Sequence, residues 1–393
     1  MSAKYRKTVC GKKGNGRGPS PSMPTLMALC ARAAGRCQFK GCNRVLFRDM
    51  VSLVTFNNTN VAHIVASSPN GARGDVQKSH ALSNSLDNLM LMCADHHKLV
   101  DDHPADYPVT KLRKMKQEQE RAVESVCEAL NSDQSQILLL TSRIKNQQSV
   151  TISKTDAINA IIPAYRPFEQ TTCIDVESGH QYFSSAYWRD AENSLSNQFN
   201  CFVASATKLN HRMHFSVFPL APIPLIMKLG YLMGDKIHSN VYQHRRHPDT
   251  WRWQKKNSGV CFLERCHLPR KTGRGVALIF ALSAAIGEGE RNEFADYVKA
   301  KYVYELCADK PSVDCISTRD DLSRFWHSYQ RLMEQIKADH PRSKEILVFS
   351  AVPVSAAFEI GRRYMPGVYP RFRVFDKDCS YCEALTIGGV DGH

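Results

Sequence analysis

The sequence predicts three consecutive parts: a small α+β module at the N-terminus, a helical connector, and an α/β region built from two Rossmann-like halves. Three observations carry this expectation. Two tightly spaced pairs of ligand-type residues, Cys37/Cys42 and Cys93/His96, bracket a short, motif-dense stretch. From Val109 onward, apolar residues recur at helical spacing. Residues 215–230 (FSVFPLAPIPLIMKLG) are echoed by residues 346–361 (ILVFSAVPVSAAFEIG).

The bulk properties agree. The chain has 393 residues, 43% hydrophobic and 23% charged, which is the composition of a globular protein and the length of two or three domains. Its net charge is +14, yet residues 1–48 hold eleven Lys or Arg and no Asp or Glu, leaving +3 for the remainder. A basic arm on a balanced body points to a polyanion partner at that end. Residues 1–22 read as a flexible basic tail; they lack the apolar core of a secretion signal, so a cytoplasmic protein is expected. The apolar stretch Phe215–Gly234 contains Pro219, Pro222, Pro224 and Lys228, which suits a strand, a turn and a helix better than a membrane span. The fourteen cysteines are scattered, as buried thiols or metal ligands are, rather than in a disulfide framework.

In order along the chain, residues 23–108 form the motif-dense domain. Residues 109–149 form the connector, helical from Val109 to about Ile144, with the polar run Lys145–Ser149 as a joint. Residues 150–393 form the α/β region. There the offset of 131 aligns Val217 with Val348, Phe218 with Phe349, Pro222 with Pro353 and Gly230 with Gly361. Each copy begins as a β-rich run, breaks at proline and continues as a helix, which implies two halves related by pseudo-symmetry.

The chemistry sits in residues 23–108. Three cysteines and one histidine in two close pairs are a tetrahedral zinc set. Between the pairs lies Val61-Ala62-His63-Ile64, followed by Asp87-Asn88 and then His97, with Asp101 four residues on. This order of His, Asn and His, interleaved with zinc ligands, resembles the HNH nucleases of the ββα-metal type over residues 30–105. The resemblance implies His63 as general base, Asn88 as a brace for the loop or for His63, and His97 as ligand of a catalytic divalent ion such as Mg2+. Asp101 shares a helix face with His97 and is a second candidate ligand. The position before the base, often acidic or a second histidine in that family, is Ala62 here. Phosphodiester hydrolysis needs this set: a base near neutrality, a cation on the phosphate and help for the leaving oxygen. Arg73, Lys111 and Lys114, with Arg113 and Lys116, are candidates for contact with DNA phosphates, or an ordinary solvated face.

The C-terminal region offers two strand-to-helix edges, Leu220-Ala221-Pro222 and Ala351-Val352-Pro353, where an α/β fold binds ligands and a helix N-terminus favours phosphate. Two such edges suit a ligand with several phosphates and its own approximate symmetry. Candidate contacts are Pro222, Tyr242, Arg245, Arg246, Trp251, Trp253, Pro353 and Ser355, with Trp188 and Arg189 as a second group; aromatic faces stack bases and cations pair with phosphates. Across residues 25–385 the chain resembles the HNH–SAVED effector nucleases of bacterial CBASS anti-phage systems, whose sensor domain has two Rossmann-like, CARF-like halves. That resemblance implies a homo-oligomer, dimer or tetramer, that binds a cyclic di- or trinucleotide and cuts double-stranded DNA non-specifically. Two other readings compete: a restriction-type HNH enzyme whose C-terminal region reads modified DNA, and a non-catalytic zinc-containing DNA-binding regulator.

Overall fold

A computed structural model describes residues 16–49, 52–144, 151–207 and 213–389. The chain divides into two compact units, residues 1–131 and 132–393.

The first unit contains α1 (Met23–Arg32), β1 (Asn60–His63), α2 (Ser79–Leu82), β2 (Leu89–Met92), α3 (Ala94–Asp102) and α4 (Val109–Ala129). Strands β1 and β2 pair antiparallel, with Ala62 opposite Met90 and His63 opposite Leu89, and α3 follows β2 directly. This is a ββα unit. Its core joins Leu29, Leu46, Ile64, Leu91 and Val100 with Leu112 and Met115 of α4. The connector expected over residues 109–149 is therefore divided. Helix α4 packs into the first unit, where Gln119 Nε2 donates to the Ala33 carbonyl (3.0 Å). Residues Gln134–Ser142 form a strand, β3, of the second unit. The run Ile137-Leu138-Leu139-Leu140 is buried on both faces of a parallel sheet, and such a run looks alike in a helix and a strand. The joint at 145–149 lies outside the described residues, as does the tail at 1–15. Residues 16–22 are tied down: Gly18 N donates to Ser67 O (2.8 Å), and Ser22 caps α1 while its N–H meets Asn84 Oδ1 (2.7 Å).

The second unit continues with α5 (Lys154–Ile161), β4 (Arg166–Val176), α6 (Ser185–Thr207), β5 (His214–Leu220), α7 (Ile223–Met233) and β6 (Ser239–Val241). A small hairpin, β7 (Arg245–Arg246) and β8 (Asp249–Thr250), leads to β9 (Phe262–Cys266). Then come β10 (Gly275–Ala281), α8 (Glu288–Tyr297), β11 (Ala300–Ala308), α9 (Arg319–Asp339), β12 (Glu345–Ala351), α10 (Val354–Arg362), β13 (Arg371–Lys377) and β14 (Tyr381–Ile387). The first sheet has the order β4-β3-β5-β6, all parallel. The second has the parallel order β11-β10-β12-β13, edged by antiparallel β9 and β14. The same strand order thus occurs twice, with α7 and α10 in equivalent places, as the sequence echo predicts. The stretch from Phe215 is strand, proline and helix, and among the described residues no helix is long and apolar enough to cross a membrane.

The echo glycines have one physical purpose. Helices α7 and α10 cross with their backbones in contact: a Cβ on Gly230 would lie 2.1 Å from the Phe358 carbonyl oxygen, and one on Gly361 would lie 1.8 Å from that of Met227. Residue 358 is 227 plus the offset of 131, so the two contacts are images of each other. One core, including Trp188, Leu225, Tyr329, Phe358 and Phe372, runs through both halves around this crossing.

Because both obstructing atoms are backbone, neither helix can yield locally. Gly230→Ala and Gly361→Ala are each expected to destabilise the second unit by about 1–3 kcal/mol. The double variant should lose less than the sum, since one substitution already parts the helices. Urea unfolding of the three variants measures this; strict additivity would place the two contacts at independent sites.

Candidate nuclease centre and metal cluster

The metal cluster is built by a turn and a helix start. Cys37 and Cys42 flank a tight knuckle in which Gly41 takes a left-handed φ of +85° and Cys37 N donates to Arg44 O (2.9 Å). Gln38 fastens this knuckle to β2: its N–H donates to Leu91 O (2.8 Å) and its Oε1 accepts from Leu91 N (2.9 Å). Cys93 caps α3, and His96 follows in the first turn. The four donor atoms lie within 4.8 Å of one another. Cys37 Sγ is 3.9 Å from Cys93 Sγ and 3.8 Å from His96 Nδ1, and Cys93 Sγ is 3.1 Å from His96 Nδ1. Two sulfurs on a tetrahedral ion with bonds of about 2.3 Å stand about 3.8 Å apart, so the donor set fits such an ion. Phe39 stacks on the His96 ring at 4.0 Å and fixes its plane. Burial pushes the Cys37 thiol up to about 12, against the backbone N–H groups of Cys93 and Phe39, which pull it down. A bound cation would hold it as the thiolate.

The His-Asn-His residues are carried by the ββα elements: His63 ends β1, Asn88 immediately precedes β2 and His97 lies on α3. His63 is half-buried, and its Nε2 lies 3.0 Å from the Ser83 carbonyl. A carbonyl only accepts, so Nε2 carries the proton and Nδ1 of the neutral ring is the free base. Asn88 is buried; its Oδ1 accepts from Val65 N (2.9 Å), and its Nδ2 donates to Val65 O (2.9 Å) and Leu82 O (3.2 Å). Of the two roles open to Asn88, the loop brace is the one its bonds serve. His97 lies on α3, with Nδ1 3.9 Å from Asp101 Oδ2.

Arg73 differs from its expected role. Its side chain is 4% exposed and turned inward. Nε donates to Ile64 O (2.9 Å), one NH group to Val100 O (2.5 Å) and the other to Asp101 Oδ1 (2.9 Å). It joins the exit of β1, beside His63, to the end of the helix carrying His97, and it leaves no donor facing solvent for DNA. Arg73 itself stands at φ +58°, and a Cβ on Gly74 would lie 2.3 Å from the Pro69 carbonyl, so the loop is tightly wound. Asp101 spends Oδ1 on Arg73, which leaves Oδ2 for an ion. The basic face of α4 also changes. Lys116 is buried against Glu120 (2.5 Å), Lys114 faces Glu118 at 3.9 Å, and Lys111 donates to Asp106 O (2.9 Å) over the Tyr107 ring.

In the second unit, Pro222 and Pro353 cap α7 and α10 as expected. The structure corrects most of the aromatic candidates. Tyr242 and Trp251 are buried around Phe218, the tyrosine stacked at 4.6 Å and the tryptophan edge-on at 5.3 Å. Trp188 is core, and Trp253 packs partly buried on it. Large flat rings were more useful to a two-sheet core than to a surface. Arg245 and Arg246 lie on the β7–β8 hairpin, Arg246 exposed. Ser355 is wholly buried, and both its N–H (3.1 Å) and its hydroxyl (2.7 Å) donate to Gln243 Oε1. Gln243, which sequence reasoning missed, thus fills the N-terminus of α10. No motif marks it; one amide after a short strand is unremarkable.

Comparison with known families agrees with this division. Residues 37–104 match the HNH endonuclease family model, and residues 195–387 match that of SAVED, the SMODS-associated sensor domain fused to various effectors. Residues 37–104 are thus of the HNH endonuclease family and residues 195–387 of the SAVED family. The chain consists of an HNH endonuclease domain followed by a SAVED domain. No curated protein matches the chain by sequence. Among solved structures it is similar to the Acinetobacter baumannii Cap4 SAVED/CARF-domain containing receptor with the cyclic trinucleotide 2'3'3'-cAAA (13% identity, TM-score 0.44, 75% of this chain and 62% of that one). It is also similar to the Moraxella osloensis Cap4 receptor (13%, TM-score 0.37, 80% and 61%). The chain spans less than two thirds of either.

The cluster yields a direct expectation. Purified protein should carry about one tightly held transition-metal ion per chain from the Cys37, Cys42, Cys93 and His96 set. Cys93→Ser should release it and lower the melting temperature of the N-terminal unit, as elemental analysis and calorimetry would report. A metal-free protein with unchanged melting would mark the four residues as ordinary buried side chains.

Proposed function

We propose that the chain is a ligand-gated DNA endonuclease. The SAVED domain binds a cyclic di- or trinucleotide, a homo-oligomer (dimer or tetramer) forms, and the HNH domain then hydrolyses double-stranded DNA without sequence preference. In a bacterium this is the work of a CBASS anti-phage effector. The observation that carries the catalytic part is the bond from His63 Nε2 to Ser83 O, which leaves Nδ1 as the proton acceptor. In the reaction a water oxygen bonds to phosphorus and its proton passes to His63 Nδ1, while the bond to the leaving sugar oxygen breaks, the pair staying on that oxygen, which takes a proton from solvent water. His97 and Asp101 Oδ2, the latter 3.9 Å from His97 Nδ1, would hold the catalytic divalent ion, Mg2+ in this reading. When bound, that ion supplies charge neutralisation at the phosphate and support for the leaving oxygen. Asn88 and Arg73 hold the His63 loop and α3 in place. The Cys37, Cys42, Cys93 and His96 cluster holds structural Zn2+.

The gating part rests on the SAVED match and on two pseudo-equivalent strand-to-helix edges in one unit. Plasmid, Mg2+ and a panel of cyclic di- and trinucleotides test it. Cleavage is expected with one cyclic nucleotide and not without it, whereas equal cutting in every tube removes the gate. His63→Ala should abolish cleavage while calorimetry still detects nucleotide binding. Arg73→Ala should slow cleavage about 100-fold through misplaced catalytic groups. Arg73→Lys should not restore it, because one ammonium cannot span three diverging acceptors. Full activity in Arg73→Ala would deny the clamp a catalytic consequence.

A further inference from the structure

The second unit has a basic cleft whose lining includes none of the residues assigned above to gating or hydrolysis. It lies along the starts of the parallel strands β10 to β13, the end of that sheet opposite the N-terminus of α10. Its volume is about 700 Å³, and it is lined by five cations, Arg270, Arg274, Lys299, Lys344 and Arg373, and by two acids, Asp296 and Glu345. Both acids are engaged: Asp296 pairs with Arg270, and Glu345 with Arg371 (2.8 Å) and Arg373 (3.4 Å). Among the described residues Arg274, Lys299 and Lys344 have no ion-pair partner, and all three are exposed.

Charge placement makes this unusual. Outside residues 1–48 the whole chain has a net charge of +3, and the lining of this one cleft alone sums to +3. Like charges set around a concavity repel more than charges spread over a convex face, and an anion within it relieves that repulsion. The backbone holds two of these cations close together. Arg274 N and Gly275 N both meet Lys299 O (2.9 and 3.5 Å), and Lys299 stands at φ +55°. Gly273, at φ +107°, lets that loop lie on Ala300, where a Cβ would be 2.6 Å from its carbonyl oxygen. The lining contains no aromatic ring. Such a surface can hold phosphates and cannot stack bases, which is how a nucleic-acid backbone is gripped without being read.

We infer that this cleft binds the phosphodiester backbone of DNA, giving the sensor domain its own sequence-independent hold on the nuclease's substrate. The inference rests on the proposed function only for the choice of DNA. The test uses the full chain with His63→Ala, a fluorescent 20-base-pair duplex and anisotropy across a KCl series. Adding Arg274→Glu, Lys299→Glu and Lys344→Glu should weaken binding at least 10-fold. It should also lower the slope of log affinity against log salt by about 2–3, the signature of three lost phosphate contacts. If the charge-reversed chain does not fold, the triple alanine variant serves and should move both readings the same way. Unchanged affinity and slope overturn the inference. So does loss of self-association in sedimentation with DNA binding intact, which would make the cleft a contact between copies. Plasmid cutting by the chain with His63 tests the nuclease reading separately: charge-dependent binding without cutting keeps the cleft, and cutting with charge-independent binding removes it.

Discussion

The buried guanidinium of Arg73 is the tie on which the geometry of the N-terminal domain depends. A ββα unit has two four-residue strands and a nine-residue helix, too little to bury a core that would fix one against another to within a fraction of an ångström. Arg73 adds three bonds from one rigid plane, to Ile64 O, to Val100 O and to the Asp101 carboxylate. Bonds from a charged donor are worth about 1.5–3 kcal/mol each when made and cost as much when a buried partner is stranded. Its planar fork suits diverging acceptors. The cluster of Cys37, Cys42, Cys93 and His96 performs the same service at the other end of α3, so the helix is held at both ends.

The second unit solves a different problem. Two similar halves must present equivalent edges, and they do so by letting α7 and α10 touch backbone to backbone at Gly230 and Gly361. Contact this close leaves no side chain between the helices to soften a displacement. The halves differ where symmetry is not needed: among the described residues, antiparallel edge strands, β9 and β14, flank the second sheet and not the first, and the basic cleft lies along the second.

Much of this was legible in the sequence because spacing carried it. The metal cluster, the His63, Asn88 and His97 order, and the 131-residue echo each follow from the positions of a few residues. The strand at Gln134–Ser142 was not legible, because a run buried on both faces has no period of its own. Arg73 was misassigned because an arginine in a glycine-flanked loop reads as surface, and only tertiary structure shows three carbonyl and carboxylate acceptors closing over it. Tyr242 and Trp251 were misassigned for the complementary reason. Aromatic residues near arginines look like a nucleotide site, yet Phe218 claimed both rings for the core.

The position of Gln243 changes what a strong ligand for this fold must accomplish. A helix start with open N–H groups attracts any passing anion; here Ser355 N–H and Oγ–H already give their hydrogens to a resident amide oxygen. An acceptor arriving at α10 has to evict a neutral occupant that costs nothing to desolvate again. Its hold there is a difference between two guests. Stray phosphate gains little by the exchange, while a molecule anchored elsewhere in the unit could make it.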